Sequence, residues 1–240
     1  MYKVGEAAKA TGVKEGTIRF YEKCGFLEKV DRLPNGYRVY TTHHLYQLKI
    51  CRLVFGGFVN RRLRKASMQL IAAAKVWDLD AYETAAAEYQ RAIQEDVERT
   101  WKVIEIAIGE TSLQETSNTQ YTKKQAAWLA GTTEESIRNW ERNGLIPQAA
   151  AYQKRYYSQA VVNRMYVIRL LLDTGYSIMA IAQFLQKMDS GEYVDAKNVL
   201  IQPEKGEDLQ SCADYYLQAL LDLQQKANIL CDLLTEMRKS

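Results

Sequence analysis

Residues 1–120 recur, in degraded form, as residues 121–240. Tyr2-Lys-Val-Gly-Glu-Ala-Ala-Lys-Ala-Thr-Gly12 aligns with Tyr121-Thr-Lys-Lys-Gln-Ala-Ala-Trp-Leu-Ala-Gly131. Thr17-Ile-Arg-Phe-Tyr-Glu-Lys-Cys-Gly-Phe-Leu27 aligns with Ser136-Ile-Arg-Asn-Trp-Glu-Arg-Asn-Gly-Leu-Ile146, and both stretches keep one offset of 119 residues. A period this long belongs to neither a solenoid nor an array. It calls for two copies of one small fold, each closed by a long amphipathic helix, within a single chain.

The local pattern of the first copy is legible. Gly5 to Ala10 reads as a short helix with Val4, Ala7 and Ala8 at core spacing. Thr11-Gly12-Val13 is a tight turn, and Gly12 can take the positive φ that few residues tolerate. Lys14 to Lys23 forms a second helix with Ile18 and Tyr21 turned inward and Phe20 as a further core candidate; Gly25 stops it. Such a helix-turn-helix places the start of its second helix in the major groove of DNA. Glu28 to Tyr40 alternates charged and apolar residues around Leu33-Pro34-Asn35-Gly36, a hairpin-like turn that reads as a wing. Tyr37, Arg38 and Tyr40 fall on its returning strand, from which hydroxyls and a guanidinium can reach phosphates. Thr41 or Thr42 can cap the next helix, which carries Leu45, Leu48, Ile50, Leu53 and Val54 up to Gly56-Gly57. A further helix runs from about Val59 to Lys75. Its Arg61, Arg62, Arg64 and Lys65 either touch phosphates or form a solvated face.

Charge is distributed to match. The net charge is +3, yet residues 1–64 hold 13 Lys/Arg against 5 Asp/Glu and residues 121–185 hold 8 against 4. Residues 78–110 hold 3 against 9, and residues 186–240 hold 6 against 10. Two basic heads alternate with two acidic helical stretches, the footprint of a polyanion binder. An apolar content of 47% excludes disorder, and no apolar run is long enough to span a bilayer. The N-terminus lacks the apolar core of a secretory signal, so a cytoplasmic protein without membrane partners is expected.

Four separated motifs carry a resemblance: Gly-Glu-Ala-Ala-Lys-Ala-Thr-Gly-Val, Thr-Ile-Arg-Phe-Tyr-Glu-Lys-Cys-Gly-Phe-Leu, Asn-Gly-Tyr-Arg-Val-Tyr and Gly-Gly-Phe, in that order over residues 2–64. Together they resemble the mercury-resistance regulator (MerR) family of bacterial transcription factors. The resemblance implies DNA contacts from Lys14, Thr17, Arg19 and Tyr21 and, on the wing, from Arg32, Asn35, Tyr37 and Arg38. It also implies two heads on a promoter operator, DNA bent and untwisted to realign polymerase elements, and RNA polymerase as a partner. Such distortion costs several kcal/mol that contacts must offset.

The second copy departs where DNA would be read. Gln148-Ala-Ala-Ala-Tyr-Gln153 replaces the Asn-Gly turn and is about two residues shorter. Glu134 and Glu135 stand at the helix start, read as the places of Lys14 and Glu15; acids accept from cytosine but repel phosphate. Ser136, Arg138, Asn139, Arg142, Lys154, Arg155 and Tyr156 remain as candidate contacts. A weaker head, or a different half-site, is expected.

Asp80 to Gly109 places Tyr82, Ala86, Tyr89, Ile93, Val97, Thr100, Ile104 and Ile108 on one stripe. Leu209, Ala213, Tyr216, Leu220, Leu223, Ala227, Leu230, Leu234 and Met237 follow a 4-3-4-3 rhythm. Both are helix-pairing patterns. The expected fold is mainly α: two winged helix-turn-helix domains, each followed by a long helix, the two helices pairing as an antiparallel coiled coil. The segments read as 1–76 (first head), 78–109 (long helix), 110–120 (polar linker), 121–188 (divergent second head), 189–207 (connector) and 208–238 (second long helix). The resembled family pairs two such subunits, so one chain is expected to form a monomeric pseudo-dimer.

Competing sites are weak. Cys24, Cys51, Cys212 and Cys231 lack metal-ligand spacing, and buried small hydrophobes are the simpler reading. His43 and His44 point apart at a helix start, where capping or solvation suits them. Trp77, Tyr82, Tyr89, Trp101, Tyr193, Tyr215 and Tyr216 either line a pocket for a small apolar effector or form helix-pair core. No nucleophile–base pair, ligand cluster or phosphate loop is present, so neither an enzyme nor a cofactor or metal is expected. An architectural or excisionase-like DNA-binding factor is the alternative to a regulator.

Overall fold

The computed structural model describes residues 1–56, 61–112, 119–147, 156–201 and 215–239, with Arg61, Thr111 and Ser112 described by backbone alone. The chain is mainly helical, and its described residues divide into two units. One joins Met1–Asp96 to Ala219–Ser240; the other is Val97–Gln218.

In the first unit, helix α1 (Val4–Thr11) stops at Gly12, whose φ is 64° and whose N–H donates to Ala8 O at 2.9 Å. A Cβ there would run into the guanidinium of Arg52, which donates to Thr11 O at 2.9 Å and so satisfies a carbonyl at the helix end. Helix α2 (Glu15–Lys23) follows an N-cap at Lys14 and buries Ile18 and Tyr21. Phe20, expected as a core candidate, is 57% exposed. It lies about 200° around the helix from Ile18, on the opposite face.

Strands β1 (Asp31–Arg32) and β2 (Arg38–Val39) pair antiparallel around the Asn35-Gly36 turn. Gly36 takes φ 83° and donates to Leu33 O, while Leu33 N–H donates to Tyr37 O, both at 2.8 Å. Tyr40, read as a phosphate-reaching residue, is instead fully buried. Its backbone exchanges two hydrogen bonds with Tyr2, which pulls it under the head. The second copy repeats the device, with Tyr121 opposite Tyr157 where β3 (Gln120–Thr122) pairs with β4 (Tyr156–Ser158).

Helix α3 (Thr42–Phe55) is capped by Thr41, which accepts from His44 N–H at 3.3 Å while its own N–H donates to His44 Nδ1 at 2.9 Å. Histidine thus fills the place that glutamate or glutamine takes in the usual capping box. Burial holds His44 below the ordinary histidine pKa, against the opposing pull of Glu28. His43 turns the other way and stacks on Trp77 at 3.6 Å. Gln47, 1% exposed, accepts from Glu28 N–H at 3.0 Å and donates to Ala74 O and Lys75 O, the closing carbonyls of helix α4 (Arg61–Lys75). One buried amide therefore ties the base of the hairpin to the end of α4.

Helix α5 (Leu79–Ser112) runs three residues past Gly109 and so takes in the start of the stretch read as a linker; residues 113–118 lie outside the described residues. Within the first unit its Asp80, Glu83, Tyr82 and Gln90 meet, respectively, Arg238 (two contacts), Leu230 O and Asn228. Rising numbers on α5 meet falling numbers on helix α11 (Tyr216–Met237), so the two run antiparallel. Tyr82, Ala86, Tyr89 and Ile93 are buried, as are Leu220, Leu223, Ala227, Leu230, Leu234 and Met237. Leu209, Ala213 and Cys212 lie outside the described residues. Arg62 of the basic run pairs with Glu95 and Asp96, whereas Arg64 and Lys65 are exposed.

In the second unit, α6 (Lys123–Leu129) is boxed by Thr122 and Gln125, and α7 (Glu134–Arg142) is capped by Thr133. Arg169 donates to Gly131 O at 3.2 Å, repeating the Arg52 device. Helices α8 (Gln159–Thr174) and α9 (Ile178–Asp189) meet at Gly175, where an added Cβ would lie 2.6 Å from the Tyr216 ring. The stretch read as a connector contains a further helix, α10 (Tyr193–Ile201). It buries Ala196 and Leu200, and Tyr176 donates its hydroxyl to Leu200 O at 2.6 Å. Of the α5 stripe, Val97, Thr100 and Ile104 are buried in this unit. The aromatic group splits: Tyr82, Tyr89 and Tyr216 are core, Trp77 stacks on His43, and Tyr193 is 51% exposed.

Candidate nucleic-acid interface

In the first head three elements converge. A groove of about 840 Å³ is lined by Lys3, Val4, Gly5, Glu6 and Lys9 of the α1 region, by Arg19 of α2, and by Asn35, Gly36, Tyr37 and Arg38 of the hairpin. The start of α1 opens onto it, adding the positive end of the helix dipole to four basic side chains. Arg38 is held by Glu22 at 2.7 Å, and Arg19 pairs with Glu15 at 3.1 Å. Arg32 donates to Gly36 O at 3.3 Å and braces the turn, while Asn35 accepts from Tyr37 N–H at 3.2 Å. Tyr37 is 67% exposed at the hairpin end.

Lys14 is exposed at the N-cap of α2, and Thr17 is half-buried one turn on. Tyr21 is set apart from the rest of the predicted group. It packs against Phe26 and Phe55 at 6.1 and 5.6 Å, and burial, with Cys51 nearby, raises its phenol pKa. Burial likewise raises the Tyr40 phenol, with Glu22 adding to the effect and nearby arginines opposing it. Cys51 is pushed up to about 12 by burial, a thiol kept protonated in the core. Sequence reasoning missed Lys3 and Lys9. Lys3 is the N-cap of the short first helix and Lys9 lies on it, and the helix's apolar spacing points to its inner side; the excess of Lys/Arg in the head was the available signal.

The second head gathers its candidates less well. Ser136 and Asn139 line a groove of about 490 Å³ with Arg169 and Ile178. Arg142 lines another, of about 610 Å³, with Glu110, Arg164 and Asp189. Tyr156 is 46% exposed on β4. Lys154, Arg155 and the shortened turn lie outside the described residues. Glu141 is buried, accepting from Lys123 at 3.0 Å and from the Tyr157 hydroxyl at 2.8 Å.

The helix starts also correct the register given to the acids. Because Lys14 and Thr133 are the two N-caps, Thr133 holds the place of Lys14. Glu134 then stands at Glu15 and Glu135 at Gly16, as the constant offset of 119 requires. Only Glu135 is an added acid. It pairs with Arg138 at 2.7 Å and with Arg142 at 3.5 Å.

Among the described residues no three His, Cys, Asp or Glu side chains converge as a metal site requires. No described helix is long and apolar enough to cross a membrane.

Comparison with known proteins agrees with the two-copy geometry. Residues 3–40 match the model of the MerR family regulatory protein, and residues 121–188 that of the MerR HTH family regulatory protein. The HTH-type transcriptional regulator ZntR of Escherichia coli K12 is 44% identical over 52 residues, 22% of this chain and 37% of that protein. The mercuric resistance operon regulatory protein of Bacillus cereus is 36% identical over 64 residues, 26% of this chain and 48% of that protein. The HTH-type transcriptional regulator HmrR of Rhizobium leguminosarum is 25% identical over 104 residues, 38% of this chain and 80% of that protein. The chain thus spans less than half of ZntR and of the Bacillus protein. No solved structure matches. With a family match in each copy of the repeat, the chain belongs to the MerR family and carries two tandem MerR units.

Proposed function

We propose that this protein is a sequence-specific double-stranded DNA-binding transcriptional regulator that works as a one-chain pseudo-dimer. The observation that carries the DNA-binding part is the groove of the first head, where Lys3, Lys9, Arg19 and Arg38 from three elements line one surface. Phosphate contacts from such residues fix the register of a protein on the duplex, and base contacts from the start of α2 supply sequence. Lys14, Thr17, Arg19, Arg32, Asn35, Tyr37 and Arg38 are the contacts assigned to this head. Ser136, Arg138, Asn139, Arg142, Lys154, Arg155 and Tyr156 are those assigned to the other.

The pseudo-dimer reading draws support from the grouping of the chain. Residues 219–240, from the second half, belong to the unit of the first head, and Lys226 donates to Gly56 O at 2.6 Å. Residues 97–112, from the first half, belong to the unit of the second head. In this reading each winged helix-turn-helix domain (1–76 and 121–188) is served by the end of the other half's long helix, the two helices forming an antiparallel coiled coil. Both heads then engage an imperfect palindrome at a promoter, and distorting that DNA repositions the elements RNA polymerase reads.

Footprinting and sedimentation test this together. The expected result is a single-chain mass in solution and a protected site with unlike halves. Arg19→Ala and Arg38→Ala should each weaken operator binding by about tenfold or more. A solution mass of two chains with intermolecular helix pairing, or a strictly symmetric site, overturns the pseudo-dimer. Unchanged affinity in both arginine variants overturns the assigned surface.

A further inference from the structure

The two heads share a fold but differ at one exposed position that the fold leaves free. At Gly16 an added Cβ would meet nothing within 4 Å, and its φ is not in the left-handed region, so packing demands no particular residue there. Its counterpart is Glu135. That carboxylate spans two turns of α7, taking Arg138 on one oxygen and Arg142 on the other, with all three side chains more than half exposed. Helix stability does not require it, since Thr133 already caps α7 and Glu134 already places an acid in its first turn. In the first head Arg19 has, among the described residues, only Glu15 as its ion-pair partner, and position 16 leaves the helix start clear.

We propose that Glu135 is the specificity-determining residue of the second head, a carboxylate that withholds two arginines from phosphate until a cytosine amino group replaces them. On arbitrary duplex the carboxylate repels the backbone and keeps both guanidiniums occupied. On a site carrying cytosine at the right step, its N4 amino group donates to Glu135. Arg138 is then released to the O6 and N7 acceptors of guanine, and Arg142 to phosphate. The second head would thus exchange non-specific grip for selectivity at a C·G pair, which the first head cannot do with glycine there. The inference rests on the DNA-binding reading given above.

Selection of bound sequences from duplexes randomised at both half-sites, with the full chain and with Glu135→Gln, tests it. The variant keeps side-chain length at an exposed position, and an unchanged thermal melt verifies its fold. In the wild type, cytosine should be enriched in the second half-site. In Glu135→Gln that enrichment should vanish while the first half-site is unaltered. Affinity for non-specific duplex should rise by about tenfold, and the slope of log K against log salt should steepen by about 0.9 for each phosphate newly gripped. An unchanged second half-site together with unchanged non-specific affinity and salt slope overturns the proposal alone. A wild-type chain that binds no duplex overturns the DNA-binding reading and this proposal with it.

Discussion

Gln47→Met tests how the hairpin of the first head is held. The change keeps side-chain length and volume, so little cavity or strain is added, but it removes every polar atom of a side chain that is 1% exposed. Three hydrogen bonds go: from Glu28 N–H (3.0 Å), to Ala74 O (3.2 Å) and to Lys75 O (3.3 Å). Ala74 O still accepts from Trp77 N–H, so two groups rather than three lose their partner. An unsatisfied, partly buried backbone group costs about 1–3 kcal/mol. Both orphaned groups lie near the edge of the core, where water reaches them in part, so the low end applies and the total is about 2–3 kcal/mol. With a urea dependence of about 2 kcal/mol per molar for a unit of this size, the midpoint falls by about 1–1.5 M. The assay is urea titration followed by circular dichroism, in which the transition of the first unit should move and that of the second should not. Gln90→Met is the control. Among the described residues its amide bonds only the exposed Asn228 side chain, and a shift within about 0.5 kcal/mol is expected. A Gln47→Met midpoint no lower than that of the control refutes the idea that this amide ties the hairpin to α4.

Two tyrosines of the same helix should respond oppositely to loss of a hydroxyl. Tyr82→Phe breaks a 2.9 Å bond to Leu230 O and should cost about 1 kcal/mol, whereas the buried Tyr89 hydroxyl has no partner among the described residues and Tyr89→Phe should be neutral or stabilising; equal losses in urea titration would contradict this. His44 should make the first unit acid-sensitive. Its folded pKa is lowered, so the unfolded chain takes up its proton first; the contribution is fully present above about 6.5 and is lost as pH falls from there through the folded value. Comparing urea midpoints at pH 7.5 and 5.5, the wild type should lose more than His44→Gln, which retains a capping-box side chain but does not titrate; parallel losses would remove His44 as the cause.

Much of this molecule is local and therefore readable from the chain. The offset of 119 implies two copies, and the buried positions of α5 and α11 follow the stripes because a helix's own period selects its inner face. Thr41, Gly12 and Gly36 act where caps and turns were expected, since each choice is settled within a few residues. The site was partly legible for the same reason. Arg19, Asn35, Tyr37 and Arg38 sit in motifs, as does Lys9, but Lys9 and Lys3 join the hairpin residues only because α1 borders the same groove.

What periodicity could not supply is the identity of the neighbour. Helix period alone sets Phe20 opposite Ile18, but that Phe26 and Phe55 are what covers Tyr21 is known only from the packing. Tyr40 looked like a surface hydroxyl until pairing with Tyr2 drew it beneath the head. His44 reads as a capping or solvated histidine; it does cap, and the packing around the capping box also buries it. The repeat and the amphipathic faces belong to the sequence by itself, because they depend on spacing alone. The partner of each face is a tertiary decision. The end of α11 lies in the unit of the first head, more than a hundred residues away, because apolar stripes specify that a surface must be covered but not which segment covers it.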